Sequence, residues 1–234
     1  MSTPRTEIPS RAPSAVAVDD IVLPFEVSAL DLRGRVVRLG PVVDEILEKH
    51  DYPQPVAKLL GEAIVLTVML GTALKFDGRF ILQTQADGPV RMLVVDFTAP
   101  SKVRACARFD KARVAEAIAA GNVDAGALLG KGHLAMTIDQ GQGMERYQGI
   151  VALGGLTLTE AALGYFQQSE QIPTRLKLAA GALAQRGARP EAWRAGAIMV
   201  QHLPRDGGIS PQPFYSGASS RRAALLFVSF VAQV

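Results

Sequence analysis

The sequence feature that most constrains the fold is the segment 165–174, where helical periodicity changes to strand periodicity. The preceding run, 158–166, has apolar residues at helical spacing, which predicts an amphipathic helix. Pro173 disfavours the α region at Ile172, so the helix has to end before it. The following run, 174–178, alternates polar with apolar residues, as a half-buried strand does. The segment therefore predicts a corner between a helix and a strand.

Three polar residues at this corner, Ser169, Glu170 and Gln171, allow two interpretations. They can bond the free carbonyl and amide groups that a helix end leaves, which would make them structural. Alternatively, Glu170 acts as an acid or base together with Ser169. Because no histidine or second carboxylate lies nearby in sequence to tune Glu170, we favour the structural interpretation and keep the enzymatic one as a hypothesis.

Length and composition favour one globular domain, because 234 residues that are 48% hydrophobic can bury a substantial core. The formal charge of +3 is mild and the basic residues are scattered, so we expect no nucleic-acid partner. The single cysteine, Cys106, cannot form an internal disulfide, which indicates a reducing compartment. We expect a cytoplasmic protein.

No segment of the sequence predicts a secretory signal or a membrane anchor. Residues 1–19 are rich in Ser, Pro, Ala and Arg and lack a long apolar core, so we expect a disordered N-terminal arm. The longest uncharged apolar run, 63–74, is shorter than the roughly 20 residues that span a bilayer. We therefore expect no membrane partner.

Residue periodicity predicts an α+β fold, with antiparallel sheets built from hairpins and packed on a few helices in a single compact core domain. Strands are predicted at 21–27, 35–39, 80–86, 90–98, 103–109, 133–139, 146–153, 175–179 and 195–203. Helices are predicted at 41–50, 55–75, 112–120 and 158–166. The second half of 55–75 is apolar nearly all round, so this helix should be buried centrally. The turn of the first hairpin is predicted at 31–34.

Several single residues carry further structural expectations. Asp87-Gly88 predicts a hairpin turn, and Pro89 after it predicts that the next strand lies at a sheet edge. Cys106 is expected to be a buried apolar residue rather than a reactive thiol. Gly61 and Gly71 lower the helix propensity of their segment and indicate close packing against another element.

The sequence predicts no catalytic, cofactor-binding or metal-binding residues, and hence a protein that is not an enzyme. The segment 126–131 superficially suggests a phosphate-binding loop, but its glycine spacing is one residue short and Gly132 stands where Ser or Thr would bind magnesium. His50, His133 and His202 are far apart and form no metal-binding pair. We expect His50 instead to interact with carbonyl groups at the end of its helix.

Five short motifs occur in order along the chain. They are Lys49-His50-Asp51-Tyr52-Pro53, Leu74-Lys75-Phe76-Asp77-Gly78, Leu129-Gly130-Lys131-Gly132, Glu145-Arg146-Tyr147-Gln148-Gly149-Ile150-Val151 and the corner Tyr-Phe-x-Gln-Ser-Glu-Gln-Ile-Pro-Thr. Together they resemble the redox-regulated heat-shock chaperones of bacteria, the heat shock protein 33 family. The resemblance implies a chaperone core at 20–203. The corner residues that carry it, expected to be structural, are Tyr165, Phe166, Ser169, Glu170, Gln171, Pro173 and Thr174.

The family resemblance implies an ATP-independent holdase that binds unfolding or oxidatively damaged proteins and prevents their aggregation. Such a protein needs accessible apolar surface within a polar surround rather than a catalytic group. The implied partners are unfolded client proteins and a second copy of the chain in a homodimer. Two alternatives remain, a basic RNA- or ribosome-associated module and, less favoured, an enzyme that uses Glu170.

The cysteine content departs from the family pattern. Family members carry four zinc-binding cysteines near the C-terminus, as Cys-x-Cys and Cys-x-x-Cys pairs, and oxidation of these releases zinc and exposes the binding surface. Cys106 matches none of them, so we expect no cofactor and no redox switch in this chain. Residues 204–234 are expected to form a linker and an apolar tail where the zinc domain would stand. Whether such a core is constitutively active or poorly active stays open.

Overall fold

The computed structural model describes residues 19–73, 78–141, 146–183 and 192–202. The strands in these ranges are β1 Ile21–Val27, β2 Leu32–Leu39, β3 Arg79–Ala86, β4 Val90–Thr98, β5 Lys102–Phe109, β6 Gly132–Asp139, β7 Tyr147–Ala152, β8 Thr174–Leu183 and β9 Ala192–His202. The helices are α1 Pro41–Glu48, α2 Gln54–Gly71, α3 Lys111–Ala119, α4 Ala125–Leu129 and α5 Leu158–Tyr165.

The strands form two antiparallel sheets. The four-stranded sheet has the order β1-β2-β9-β8, and the five-stranded sheet has the order β5-β4-β3-β6-β7. Most neighbouring strands are also neighbours in sequence, because short turns connect them as hairpins or meanders. The predicted α+β class, with hairpin-built antiparallel sheets in one compact domain, is confirmed.

Helix α2 lies at the centre of the domain. It contacts β2, β8 and β9 of the four-stranded sheet and β3, β4 and β5 of the five-stranded sheet. Fourteen of its 18 residues are buried. Gly61 and Gly71 are points of close approach, since a Cβ at Gly61 would lie 2.8 Å from Cβ of Ala180 and one at Gly71 would collide with the ring of Phe97. The predictions of a central buried helix and of close packing at both glycines are confirmed.

The apolar character of α2 also meets a membrane criterion. Within the described ranges it is the one helix long and apolar enough to cross a bilayer by length and composition, and 78% of it is buried inside the domain. Residues 63–71, the second half of the helix, are all buried, and a helical segment buried on all sides has to be apolar all round. Its composition is therefore accounted for by its position in the core.

The end of α2 comes earlier than the sequence suggests. The predicted end near Lys75 is wrong, since the helix ends at Gly71 and residues 74–77 lie outside the described ranges. Thr72 is the C-terminal cap residue, and its Oγ1 donates to the carbonyl of Val68 at 2.7 Å. Arg35 Nη1 donates to the carbonyl of Thr72 at 3.3 Å, which places a cation at the negative end of the helix.

The first hairpin also turns earlier than predicted. A 3-10 turn at Ser28–Leu30 and the left-handed Asp31 close it, and β2 begins at Leu32. Gly34 was expected in the turn but lies inside β2, opposite Phe25. A side chain at Gly34 would collide with the ring of Phe25, so this glycine makes room for an aromatic residue rather than for a turn.

Two expectations in the five-stranded sheet are wrong. Pro89 does not mark an edge, since β4 lies between β3 and β5. Pro89 precedes the strand, where the sheet needs no N–H from it, and its carbonyl accepts from the amide of Asp110 at 2.9 Å. Cys106 is exposed rather than buried. It lies on edge strand β5, where the even-numbered residues face solvent and the odd-numbered ones face inward.

The start of the described chain is tied to the four-stranded sheet. Asp19 forms ion pairs with Arg38 at 2.5 Å and with Arg194 at 2.9 Å. Asp20 accepts the amide of Gly40 at 2.8 Å, just before α1. The predicted arm, apart from Asp19, and the predicted linker and tail at 204–234 lie outside the described residues.

Three charged residues form an ion cluster on the outer side of the five-stranded sheet. Asp96 on β4 is buried and lies between Arg79 on β3 and Arg104 on β5. Arg104 Nη2 donates to Asp96 Oδ2 at 2.7 Å, and Arg79 bonds both oxygens. Burial alone would raise the pKa of Asp96, but the hydrogen bonds and charges of the two arginines outweigh it and lower this pKa below its ordinary value. The cluster thus joins three adjacent strands.

The variant Asp96→Asn should lower the free energy of unfolding near pH 7 by about 1–2 kcal/mol, because both arginines lose their anionic partner. A carboxylate with a lowered pKa stabilises the fold above its ordinary pKa, and that stability is lost as the pH falls. Urea unfolding should therefore give a constant difference between parent and variant above about pH 5 that shrinks below about pH 4.

The control for this prediction is Glu45→Gln, which removes an exposed carboxylate that pairs with Lys49 on the surface of α1. Because exposed pairs contribute little, this variant should unfold almost as the parent does. A pH-independent difference for Asp96→Asn, or an equal loss in both variants, would contradict the assigned role of the cluster.

Candidate functional site

The four-stranded sheet has one face on the core and one face that no described element covers. Residues facing α2 are buried, among them Val37, Leu39, Ala197 and Met199. The strand residues with the opposite orientation form what we call the outer face. They are Ile21, Leu23, Phe25 and Val27 on β1; Leu32, Gly34, Val36 and Arg38 on β2; Ala192, Arg194, Gly196, Ile198, Val200 and His202 on β9; and Arg175, Lys177, Ala179, Gly181 and Leu183 on β8.

A row of exposed apolar side chains crosses the outer face. Leu23 lies opposite Val36, and Val36 lies opposite Ile198. Their exposed fractions are 54%, 36% and 42%. Directly opposed side chains on one face of a sheet contact one another, so these three residues form a continuous apolar strip.

The next row repeats the pattern with a gap. Phe25 lies opposite Gly34, and Gly34 lies opposite Val200. The Phe25 ring fills the space above Gly34, so the surface stays apolar although glycine has no side chain. An antiparallel sheet with one solvated face normally carries polar residues there. An uncovered apolar face on this sheet therefore indicates a surface that meets another molecule or another segment.

Charge on the outer face has a single sign. The outward strand residues within the described ranges include arginine, lysine and histidine but no aspartate or glutamate. At one end, Arg38 and Arg194 share the carboxylate of Asp19, which offsets one of their two positive charges. At the other end, Arg175 and Lys177 on edge strand β8 are exposed. No carboxylate whose side chain the structure describes pairs with these two cations; the side chain of Glu170 is not among those described.

The outer side of the five-stranded sheet differs from this surface. Its exposed residues are mostly polar, including Gln83, Gln85, Arg108 and Gln148. Ile150 on β7 is an isolated exception that is 63% exposed. The two sheets therefore present chemically different surfaces on opposite sides of α2, and the apolar one belongs to the four-stranded sheet.

The predicted corner lies between α5 and β8, as expected from the sequence. The N-terminus of α5 has a capping box, in which Thr157 and Glu160 bond each other's backbone amides. A π-helical turn at Phe166–Glu170 follows the helix, and Gln171 takes a left-handed conformation before β8 begins. The change from helix to strand thus occurs within the predicted segment.

Two polar side chains are satisfied inside the corner. Thr174 is buried, and its Oγ1 donates to the carbonyl of Ile172 at 2.9 Å. Gln201 on β9 is also buried, and its Nε2 donates to Thr174 Oγ1 at 3.2 Å. A buried hydroxyl or amide without such partners would cost free energy. These bonds fix the first residue of β8 to its neighbour β9.

Two of the motifs from the sequence meet in space. Tyr165 and Phe166 are buried with ring centroids 5.9 Å apart. The Tyr165 ring packs on Gly149 of β7, where an added Cβ would lie 2.9 Å from Tyr165 Cζ. A third motif residue, Tyr52, accepts the amide of Ala107 on β5 with its hydroxyl oxygen at 3.1 Å. These contacts join a helix and the connection between α1 and α2 to strands of the five-stranded sheet, which favours a structural role for the motifs.

The remaining corner residues are placed as follows. Ser169 is half-buried, and Gln171 and Pro173 are exposed. The backbone of Glu170 belongs to the π-helical turn, but its side chain lies outside the described part of the structure. The structural and the acid-base interpretations of Glu170 both remain predictions. His50, expected near the carbonyls of its helix end, has its ring 5.2 Å from that of Tyr52.

The segment at 126–131 uses its backbone amides internally. The amide of Gly130 donates to the carbonyl of Gly126 at 2.7 Å. The amide of Lys131 donates to the carboxylate of Asp87 at 2.6 Å. A phosphate loop needs such amides free to bind an anion. Here the protein's own groups occupy them, which agrees with the sequence argument against nucleotide binding at this segment.

The four-cysteine zinc site of the family does not fit the residues of this chain. Cys106 is the single cysteine among the 234 residues and lies exposed on β5. Within the described ranges, no three His, Cys, Asp or Glu residues lie together in a way that could hold a metal ion.

Sequence reasoning missed the outer face. The available signal was in residues 21–25, Ile-Val-Leu-Pro-Phe, where apolar residues occupy both orientations of a strand instead of alternate ones. Edge strand β1 is not covered by α2, so this pattern could not indicate burial on both sides. It instead marks an apolar surface on the outside of the sheet.

Two antiparallel sheets around a buried helix, with one open apolar face, define the class as an α+β core domain. The family model described as Hsp33 protein matches residues 20–222. A 33 kDa chaperonin of Caulobacter vibrioides is 50% identical over 198 residues, which cover 83% of this chain and 64% of that protein. A 33 kDa chaperonin of Ectopseudomonas mendocina is 41% identical over 182 residues, covering 78% and 56% respectively. The chain belongs to the Hsp33 family.

A solved structure supports the fold. The crystal structure of a 33 kDa chaperonin homologue from Thermotoga maritima matches with a TM-score of 0.60 at 23% identity, over 77% of this chain and 60% of that one. At this identity the match concerns the fold alone. The chain covers less than two thirds of the length of the curated relatives named above. Their activity as whole proteins is therefore considered below as a proposal.

The contact between Tyr165 and Gly149 can be tested by Gly149→Ala. The added methyl group would overlap the ring, so the free energy of unfolding should fall by about 1–3 kcal/mol in urea or guanidinium. Gly181→Ala on edge strand β8 is the matched control, because nothing lies within 4 Å of a Cβ there. A neutral effect of Gly149→Ala would mean that the two motifs do not depend on close packing.

Proposed function

We propose that this chain is an ATP-independent holdase, which binds unfolding proteins on the outer face of its four-stranded sheet and keeps them from aggregating. The observation that carries the proposal is the exposed strip of Leu23, Val36 and Ile198 across three adjacent strands. The names of its relatives, 33 kDa chaperonins, supply the class of activity.

The shape of the outer face suits a ligand without a fixed sequence. Unfolding proteins share exposed apolar stretches rather than a common motif, so a holdase has to recognise apolar surface in general. The Leu, Val, Ile and Phe side chains of the outer face offer apolar contact across β1, β2 and β9, and such contact needs no preformed pocket. Burial of apolar area contributes roughly 25 cal/mol per Å² to such binding.

ATP independence follows from the same mode of binding. Holding a client requires contact but no chemical step, and the segment most similar to a phosphate loop has its amides bonded within the protein. We therefore propose that nucleotide neither activates the chain nor releases its clients. We also propose that the chain is not an enzyme and binds no cofactor.

This chain lacks the four cysteines that would bind zinc in a redox switch of the kind found in the family. A switch based on zinc and four thiolates cannot be built from Cys106 alone. We propose that binding takes place under reducing and oxidising conditions alike. The cytoplasmic location and the homodimer remain part of this proposal, and the open edges of β1 and β8 are where a second copy could add strands.

An RNA-binding role is the second candidate, because Lys102, Arg104 and Arg108 line the outward side of edge strand β5. Arg104 is already paired with Asp96, which reduces the charge available to a phosphate backbone. Binding of this kind should weaken steeply with salt. We favour the holdase because the apolar outer face is unexplained by an RNA ligand.

The proposed surface can be tested with the triple variant Leu23→Thr, Val36→Thr and Ile198→Thr. Threonine has a β-branched shape that suits strands and presents less apolar surface than leucine, valine or isoleucine. We expect the variant to require several-fold more protein than the parent to suppress light scattering from a thermally unfolded client. The assay should give the same result in dithiothreitol and in peroxide, and with or without ATP.

The control variant is Ile150→Thr, which changes a strand residue of the five-stranded sheet that is more exposed than any of the three. It should suppress aggregation as the parent does. Thermal unfolding of each variant checks that the fold is intact. Full activity of the triple variant, or an equal loss in Ile150→Thr, would contradict the assignment of client binding to the outer face.

A further inference from the structure

Two rows of the outer face change from apolar to positively charged between β1 and β8. In the row that begins with Leu23, Val36 and Ile198, the next residue is Lys177 on β8. In the row that begins with Phe25, Gly34 and Val200, the next residue is Arg175. Both rows therefore run from apolar side chains on β1 to a cation on β8.

Among the side chains that the structure describes, which do not include that of Glu170, no carboxylate pairs with these two cations. By contrast, Arg38 and Arg194 at the opposite end share Asp19. Arg175 donates one hydrogen bond to a described residue, from Nη1 to the carbonyl of Thr174 at 3.2 Å, and a guanidinium group has five N–H donors in all. Both side chains project from the same side of β8, two residues apart.

We infer that the outer face prefers a particular kind of client segment, an apolar stretch that is flanked on one side by aspartate or glutamate. The inference rests on the proposed holdase function and adds its selectivity. The apolar residues of the segment lie on Leu23, Val36 and Ile198, and its carboxylates meet Lys177 and Arg175. A segment flanked by lysine meets like charge at the same place and is disfavoured.

Charge complementarity favours this occupant over a purely apolar one. Apolar contact supplies most of the affinity, and an exposed ion pair adds a smaller amount that depends on salt. Two such pairs should change the dissociation constant by roughly 3- to 10-fold. The selectivity is therefore modest. Many different clients can bind, and those with acidic flanks bind more tightly than the others.

The test uses the full chain and three labelled peptides with the same apolar core of about seven residues, flanked on one side by two aspartates, two asparagines or two lysines. Fluorescence anisotropy should show the aspartate peptide binding roughly 3- to 10-fold more tightly than the asparagine peptide at about 50 mM salt, with the lysine peptide weakest. The preference should shrink at about 500 mM salt.

Variants locate the effect. In the double variant Arg175→Gln and Lys177→Gln, the aspartate and asparagine peptides should bind equally, at the affinity that the parent has for asparagine. The matched control, Lys102→Gln with Arg108→Gln, removes two exposed cations from β5 of the other sheet and should keep the preference of the parent. Both double variants lie on exposed strand positions, so the fold can be checked by thermal unfolding.

Three results would overturn the inference. Equal binding of the three peptides by a parent that suppresses aggregation would reject the selectivity and leave the holdase function standing. Binding of none of the peptides by a parent that also fails to suppress aggregation would reject both proposals. Tighter binding of an unstructured RNA oligonucleotide, lost in the Arg175 and Lys177 double variant, would assign these cations to nucleic acid.

Discussion

The structure depends on the burial of α2 between two sheets. Fourteen of its residues are buried, and they contact strands of both sheets, so neither sheet can place its inner face elsewhere without exposing the core. Gly61 and Gly71 set how closely the sheets approach the helix, because Ala180 of one sheet and Phe97 of the other occupy the space that side chains would need. Each sheet therefore has one face on the core and one outer face, and the outer faces are the sheet surfaces that another molecule can contact.

Much of the fold follows from local pattern. The alternation in β8, the hairpin signal at Asp87-Gly88 and the continuous apolar character of α2 each determine one element with little help from distant residues. The errors arise where a residue serves a distant partner. Gly34 was assigned to a turn but accommodates Phe25, Pro89 precedes a central strand instead of an edge, and Cys106 faces solvent because β5 lies at an edge. Sheet order is a long-range property, and local sequence does not encode it.

The outer face could not be predicted for the same reason. Leu23 and Val36 pair within the first hairpin, but Ile198 is far from both in sequence and becomes their neighbour only through the pairing of β2 with β9. The motifs that revealed the family behave differently, since the described contacts of Tyr52, Tyr165 and Gly149 join elements of the core. Family membership was therefore readable from residues that support the fold, whereas the surface proposed to act carries no short motif. Its apolar rows and its cations on β8 together describe a surface suited to apolar, acid-flanked segments.

We propose that unfolded clients bind the outer face of the four-stranded sheet. Methyl NMR measures this most directly, because Ile198 and Ile150 report on exposed strand positions of the two different sheets. On addition of a chemically unfolded client, we expect the methyl signals of Ile198, Leu23 and Val36 to shift or broaden and that of Ile150 to stay unchanged. Unchanged signals at Ile198 while the client is held in solution, or changes centred on Ile150, would contradict it.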